Sequence, residues 1–258
     1  LKSPIKLSAA IICFNEENNI ARAITSLKNV ADEIIVVDSY SKDRTLQICE
    51  ELKGQGLPIT IIQNEFLGHV EQKNFALSKC THDYVISLDA DEALSPELKE
   101  SVLKIKNNFE NNGYSFNRLT NYNGYWVKHC GWYPDTKLRL VKKSEAKWAG
   151  DNPHDILKLK TGREIKIPGN LLHYSYDSIS DHVNQTNRFT DIASIVAFRK
   201  GVRSSLFKII TRPILKFLKD YFLKAGFLDG RYGLIICTIN GLSAFLKYSK
   251  IYELQKEN

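Results

Sequence analysis

Apolar and polar positions alternate in blocks over the first hundred residues. "KLSAAIICF" (6–14) is a short, nearly continuous apolar run bounded by polar residues, which predicts a strand buried on both faces. Ile20, Ala23, Ile24 and Leu27 then recur at helical spacing. "EIIVVD" (33–38) predicts a second strand. Ser41 is placed to cap the next helix, with Thr45, Ile48, Cys49 and Leu52 on its buried face and Gly54 and Gly56 ending it. "PITIIQ" (58–63) predicts a third strand, residues 69–80 a helix, and "YVISL" (84–88) a fourth strand. Ser95 and Pro96 suit the cap and first position of a helix that buries Leu98, Val102, Ile105 and Phe109. Repeated β-α-β units of this length imply a parallel sheet with right-handed crossovers.

The pattern changes at Gly113. Up to about Gly169 the segments are short, aromatic and turn-rich, as in "YSFNRLTNYNGYWVKHCGWYPDTKLRLVKK", and predict mixed or antiparallel strands. From about Ser178 the chain reads as helical to its end, with a break at Arg212-Pro213 and turns near Gly226 and Asp229-Gly230. The expected division is an α/β domain over 1–177, with halves 1–112 and 113–177, followed by a helical region over 178–258.

Charge adds to this picture. The chain of 258 residues carries +7, but residues 197–258 alone hold 12 basic and 4 acidic residues, so the remainder is nearly neutral. In "RSSLFKIITRPILKFLKDYFLKAGF" (203–227) leucine, isoleucine and phenylalanine alternate with lysine and arginine. That texture suits a helix lying on an anionic membrane surface; a packed appendage or a homodimer interface is the alternative. No nucleic-acid reading motif accompanies the basic residues. No apolar run reaches the roughly 18 residues of a membrane span, and "YGLIICTINGLSAFL" (232–246) is broken by Thr238, Asn240 and Gly241. The N-terminal residues run straight into a strand without a secretory pattern. Five cysteines, an odd number without a C-x-x-C, point to buried thiols in a reduced, cytoplasmic setting.

The candidate chemistry is acidic. "YVISLDADEALSPEL" (84–98) places Asp89, Asp91 and Glu92 within four positions after a strand. "NEEN" (15–18) follows strand one, and Asp38 ends strand two. In an open α/β sheet ligands gather beyond the carboxyl ends of strands, so these groups are expected at one rim. A D-x-D there suits a hard divalent cation, Mg²⁺ or Mn²⁺, which can bridge nucleotide phosphates. The plainer reading is a solvated loop, with Glu92 and Glu97 favouring a helix N-terminus. Neither G-x-G-x-x-G nor G-x-x-x-x-G-K-[ST] is present, which argues against dinucleotide and P-loop sites.

"AAIICFNEENNIARAITSL", "DEIIVVDSYSKDRT" and "YVISLDADEALSPEL" resemble, in order and spacing, the inverting glycosyltransferases of family 2, over roughly residues 6–100. "GWYPDTKLRL", "WAGDNPHD" and "FLDGRYG" extend the likeness to the branch that adds glucose to a lipopolysaccharide inner-core heptose. The resemblance implies a GT-A fold, an α/β fold with a mostly parallel central sheet flanked by helices and here a helical C-terminal appendage. It implies a UDP-sugar donor, Mn²⁺ or Mg²⁺, and a lipid-linked or lipopolysaccharide acceptor reached at the inner face of the cytoplasmic membrane. Phe14, Asn15 and Glu17 would line the base and ribose pocket, with Asp38 at the uracil and Ser39 beside it. Gln72, Lys73 and Asn74 match the segment that closes over the nucleotide. Asp89 would face the donor sugar or ribose, with Ala90 next to it, and Asp91 would bind metal.

Inversion needs a general base across the anomeric carbon from the leaving diphosphate. Asp135, Asp151 and Asp155 are the candidates, and Asp155 is favoured because the related branch shows His followed by an acidic residue there, commonly Glu. His154 would orient that base or complete the metal shell, as would His173. Trp126, Trp132, Tyr133 and Trp148 are dense enough to offer aromatic faces to a sugar or simply to form a core. Arg139 suits a phosphate contact or an ordinary strand position. Two rival functions use the same head: a polyprenyl-phosphate sugar transferase, and a non-catalytic sugar-nucleotide or membrane-binding module.

Overall fold

The computed structural model describes residues 4–150 and 155–256. The chain forms two compact units, one of residues 1–118 and 135–173, the other of residues 119–134 and 174–258.

The first unit is built on four parallel strands: β1 (Leu7–Cys13), β2 (Glu33–Asp38), β3 (Ile59–Gln63) and β4 (Tyr84–Asp89). They lie in the order β3-β2-β1-β4. The crossovers are α1 (Ile20–Ser26), α2 (Thr45–Gly54) and α3 (His69–Lys79). β1, β2 and β4 are apolar because both faces are covered, and they supply Ala9, Ile11, Ile34, Val36, Ile86 and Leu88 to the larger core. β5 (Glu92–Leu94) follows β4 almost at once and leads into α4 (Pro96–Asn107). Ser95 caps α4, its Oγ accepting from Leu98 N, and Pro96 begins it, as the sequence predicts. Leu98 and Val102 are buried, while Ile105 and Phe109 pack half-buried against the same core.

Beyond β4 the sheet continues with antiparallel pairing, as expected for residues 113–169. The strands are β6 (Gly113–Tyr122), β8 (Asp135–Lys142) and β11 (Glu164–Tyr176), placed β4-β8-β6-β11-β5. β7 (Tyr125–Val127) forms a hairpin with the end of β6, and β9 (Ala146–Ala149) pairs with β10 (Ile156–Leu159).

The second unit holds α5 (Ile179–Arg199), α6 (Leu206–Leu218) and α7 (Gly230–Lys256). α5 and α6 both pack on α7. Its core joins Tyr122, Val127, Cys130, Ile236 and Cys237 with the half-buried Trp132, Tyr176 and Tyr232. Trp132 therefore serves a core, in contact with Tyr122, Tyr176 and His182. Burial pushes the His182 imidazole down to about 4. Asp229, buried, gathers the loop after β7: it accepts from Tyr125 OH, His129 N and His129 Nδ1 at 2.8–3.1 Å.

Two local expectations are corrected. Ser41 does not cap α2; its hydroxyl donates to Asp38, and the residue before the helix is Arg44, with no side-chain cap. Nor does α6 break at Pro213, which sits inside it. Packing on α7, where the Pro213 carbonyl approaches Gly241, outweighs the hydrogen bond that proline removes. The irregularity comes later, in a turn of π-helix at Lys219–Leu223.

All five cysteines are buried free thiols. Burial pushes Cys49 and Cys80 up to about 12 and also raises Cys13, Cys130 and Cys237. Among the described residues, no helix is long and apolar enough to cross a membrane.

Gly169 in β11 has φ +96°, and a Cβ there would lie 2.3 Å from the backbone nitrogen of Leu98. Gly169→Ala should therefore cost about 2–4 kcal/mol in urea unfolding. Gly54→Ala, which meets nothing within 4 Å at the end of α2, should change stability by less than about 1 kcal/mol in the same assay.

Candidate active site

The parallel register sets the rim. Cys13 lies opposite Asp38, Ile12 opposite Asp89, and Asp38 opposite Gln63. Asp38 and Asp89 thus end neighbouring strands on either side of β1, level with the turn that starts at Phe14.

That turn is laced to the segment after β2. Asn15, at φ 56°, donates its N–H to Ser41 Oγ at 2.9 Å, and its side-chain oxygen accepts from Lys42 N at 2.8 Å. Glu16 N donates to Thr45 Oγ1, Glu17 N to Asp43, and Arg44 N to the Glu17 carboxylate. Phe14 stays half-exposed beside them. Asp38 is fully buried and accepts from Ser41 N at 3.0 Å and Gln63 Nε2 at 3.3 Å, so its carboxylate shapes this loop from beneath. Asp43, and any role of Thr45 beyond its place on the buried face of α2, are not among the expectations drawn from the sequence. Their signal was present: a D-x-T just before a helix is an aspartate turn, and Thr45 N and Oγ1 both donate to Asp43.

α3 contributes the next layer. Gly68 precedes it at φ 153°, ψ 163°, a conformation reserved for glycine. Gln72 is buried; its amide donates to Ser39 Oγ at 3.0 Å and accepts from Asn64 Nδ2 at 2.8 Å, tying the ends of β2 and β3 together. Asn74 exchanges two hydrogen bonds with the backbone of Trp148, at 2.9 and 3.1 Å.

Lys73 is the junction. Its ammonium lies 2.7 Å from Asp89 Oδ1 and 2.7 Å from Asp155 Oδ2, with only 5% of its side chain exposed. The D-x-D and the favoured base are thereby brought to one cation. Arg139, buried in β8, reaches Asp89 Oδ2 at 3.1 Å and Glu92 Oε1 at 2.9 Å. Glu92 in turn accepts from Asp89 N at 3.0 Å. Burial would raise the Asp89 carboxyl, but Lys73 and Arg139 outweigh it and hold that group well below the usual carboxylate range. Glu92 is fully buried rather than a solvated helix-end charge. Trp148 is buried beneath the two cations, 4.5 Å from Lys73 Nζ and 5.1 Å from the Arg139 guanidinium, so its ring is a core and cation–π surface.

Asp135 is engaged elsewhere: Arg118 grips it at 2.9 and 3.0 Å and Lys137 at 3.0 Å. Asp151 and His154 lie outside the described residues. Ala90 is buried between the two aspartates. Asp91 points to β11, where His173 Nε2 is 3.1 Å from its Oδ2; β11 pairs with β5 so that His173 faces Glu92. One carboxylate oxygen and one imidazole nitrogen, both partly exposed, make a donor pair that fits Mn²⁺ or Mg²⁺. Among the described residues no group of three or more His, Cys, Asp or Glu could hold an ion alone. Such a cation is therefore suited to sharing with phosphate oxygens, the usual situation for Mg²⁺.

Glu16 lies partly buried beside this cluster. Burial, opposed by the Asn19 amide and reinforced by the charges of Asp91, Asp43 and Asp89, pushes it up to about 7.

The parallel βαβ rim thus gathers paired carboxylates and buried cations at the carboxyl ends of its strands. Residues 8–156 match the family model of Glycosyl transferase family 2. An uncharacterized glycosyltransferase of Rickettsia typhi is 34% identical over 260 residues, covering 96% of this chain and 87% of that protein. The lipopolysaccharide core biosynthesis glycosyltransferase LpsC of Rhizobium meliloti is 28% identical over 256 residues, covering 96% and 93%. Among solved structures, the mannosyltransferase PcManGT from Pyrobaculum calidifontis, in complex with GDP-Man and Mn²⁺, superposes with a TM-score of 0.56 at 14% identity, covering 100% of this chain and 89% of that one. The fold is GT-A-like. The chain belongs to glycosyl transferase family 2, and it is a glycosyltransferase.

A carboxyl with a raised pKa disfavours the folded state once it ionises. The contribution of neutral Glu16 is full below the ordinary glutamate value and is lost as pH rises through about 7. Glu16→Gln should therefore raise the melting temperature at pH 8, by about 2–4 °C, and leave it nearly unchanged at pH 5.

Proposed function

We propose that this enzyme is a metal-dependent, inverting hexosyltransferase that moves glucose from UDP-glucose to a hydroxyl of a lipid-linked or lipopolysaccharide-core acceptor. The observation that carries this reading is Lys73, whose ammonium contacts the first aspartate of the D-x-D and Asp155 at 2.7 Å each. The donor-binding motif and a base for the acceptor are then held by one side chain. The role of LpsC in lipopolysaccharide core biosynthesis supports the acceptor class, and GDP-Man with Mn²⁺ in PcManGT supports a nucleotide sugar with a cation.

In this scheme residues 1–112 bind the nucleotide, 113–177 the acceptor, and 178–258 serve the membrane-side role. Phe14, Asn15 and Glu17 border the base and ribose on the laced turn, while Asp38, Ser39 and Gln72 keep that turn in shape. Asp91, with His173, would hold Mn²⁺ or Mg²⁺, whose charge offsets that of the departing diphosphate. Asp155 takes the proton of the acceptor hydroxyl as its oxygen forms the new bond to the anomeric carbon. The bond from that carbon to the diphosphate breaks from the opposite face, and UDP leaves with the electron pair. Lys73 keeps Asp155 and Asp89 in fixed relation during the exchange. A lipid-linked acceptor places the enzyme at the inner face of the cytoplasmic membrane.

Asp155→Asn should lower kcat by about 10²–10⁴-fold while calorimetric UDP-glucose affinity stays unchanged; retained turnover would remove Asp155 from the role of base. Asp91→Asn should weaken UDP binding about tenfold or more in the presence of Mn²⁺ and little without it. Equal affinities with metal would count against the cation. Thermal shifts with UDP-, GDP-, ADP- and CMP-sugars, with and without Mn²⁺, read out the donor directly.

A further inference from the structure

None of the thirteen residues of α6 is buried, although nine of the thirteen are apolar. The helix touches α7 along the side of Pro213 and Phe217, where a Cβ added to Gly241 would meet the Pro213 carbonyl and the Phe217 Cβ. The apolar residues beyond that contact remain open. Leu206, Phe207, Ile210, Ile214 and Leu218 share one side of the helix, within about 120° at the helical repeat. Phe207 is 74% exposed and Ile210 63%. The π-turn that follows adds two more exposed apolar side chains, Phe222 and Leu223, the latter 83% exposed.

Charge backs this surface. Lys208, Arg212 and Lys216 recur every fourth residue and form a row on the side of the helix opposite the apolar residues. Residues 203–228 contain six basic residues and one acid, Asp220. Asp220 is fully buried, with Lys216 2.6 Å and Asn240 2.9 Å from its Oδ2, so what reaches solvent is cationic.

We infer that α6 and the turn after it form an in-plane docking surface for an anionic phospholipid membrane. A bilayer interface offers apolar chains below and negative headgroups above, which matches an apolar side with a lysine–arginine row on the opposite side. A second copy of this chain fits less well, because residues 203–228 offer six basic residues and no exposed acid with which two copies could pair. A spanning role does not arise for a helix of this length. The physics of this surface stands by itself; its purpose, delivering the enzyme to its acceptor, rests on the lipid-linked acceptor proposed above. It also assigns the role to α6, and leaves the longer apolar stretch of α7 as packing.

The test is cosedimentation of the full chain with vesicles of phosphatidylcholine, alone or mixed with phosphatidylglycerol, without donor or acceptor. The expected result is partitioning at least ~10-fold stronger into the anionic vesicles, weakening as salt is raised. Ile210→Asp with Ile214→Asp should reduce that partitioning ~10-fold or more while the melting temperature and UDP-glucose affinity hold. Lys208→Glu with Arg212→Glu, at surface positions that burden the fold less, should remove the preference for anionic lipid. Parent protein that stays in the supernatant, or charge-reversed protein that sediments as well as the parent, overturns the proposal. So does a dimer in light scattering that Ile210→Asp with Ile214→Asp disperses, which would give the face to a second copy. Vesicle binding that survives alongside absent glucosyl transfer sinks the donor–acceptor reading and leaves this one standing.

Discussion

Carboxylates cannot crowd one rim of a sheet without positive charge close by, and this constraint organises the first unit. Asp89 and Glu92 come from the end of β4 and the start of β5, Asp155 from far along the chain. The protein answers with Lys73 from α3 and Arg139 from β8, both almost wholly buried. Each cation contacts two acids, so the charges form a chain rather than isolated pairs. Removing one member would strand its partners in a poorly solvated place, a larger penalty than the pair itself is worth. The network is thus a reason for α3, β4, β5 and β8 to keep their mutual placement. At Glu16 burial, reinforced by Asp91, Asp43 and Asp89, pushes the carboxyl up to about 7.

Much of this was legible in the order of residues. Strands buried on both faces write themselves as unbroken apolar runs, and β1, β2 and β4 were found that way. Ser95-Pro96 announced α4 because a hydroxyl cap and a proline first turn act locally. The rim carboxylates were legible because each directly follows a strand. The cations were not: nothing in the spacing from Lys73 to Asp89, or from Asp89 to Arg139, encodes their meeting, which depends on how α3 and β8 pack. The plainer reading set Glu92 at a helix end because only three residues separate it from Pro96, too few to suggest the strand β5. Ser41 was misjudged for a related reason: its hydroxyl donates to the buried Asp38 and accepts from Asn15 N, and so is not spent on the N–H groups of the helix end.

The second unit shows the same limit in another form. Pro213 signals a break, yet α6 continues because α7 supports it and Gly241 lets the backbones approach. Local propensity is worth a few kcal/mol at most, and a long helix–helix contact exceeds it. The aromatic residues around Trp132 divide similarly. Sequence composition cannot separate a sugar-binding face from a core, whereas Tyr122, Tyr176 and His182 packed around that ring place it in a core.

The five shielded thiols have a practical corollary. Each sits where solvent reagents do not reach it, and burial suppresses the thiolate that alkylating agents and oxidants attack. The native chain is therefore a silent background for chemistry at sulfur. A single cysteine introduced on the surface would carry a fluorophore or spin label by itself, so depth, distance and orientation could be followed without first stripping the protein of its own cysteines.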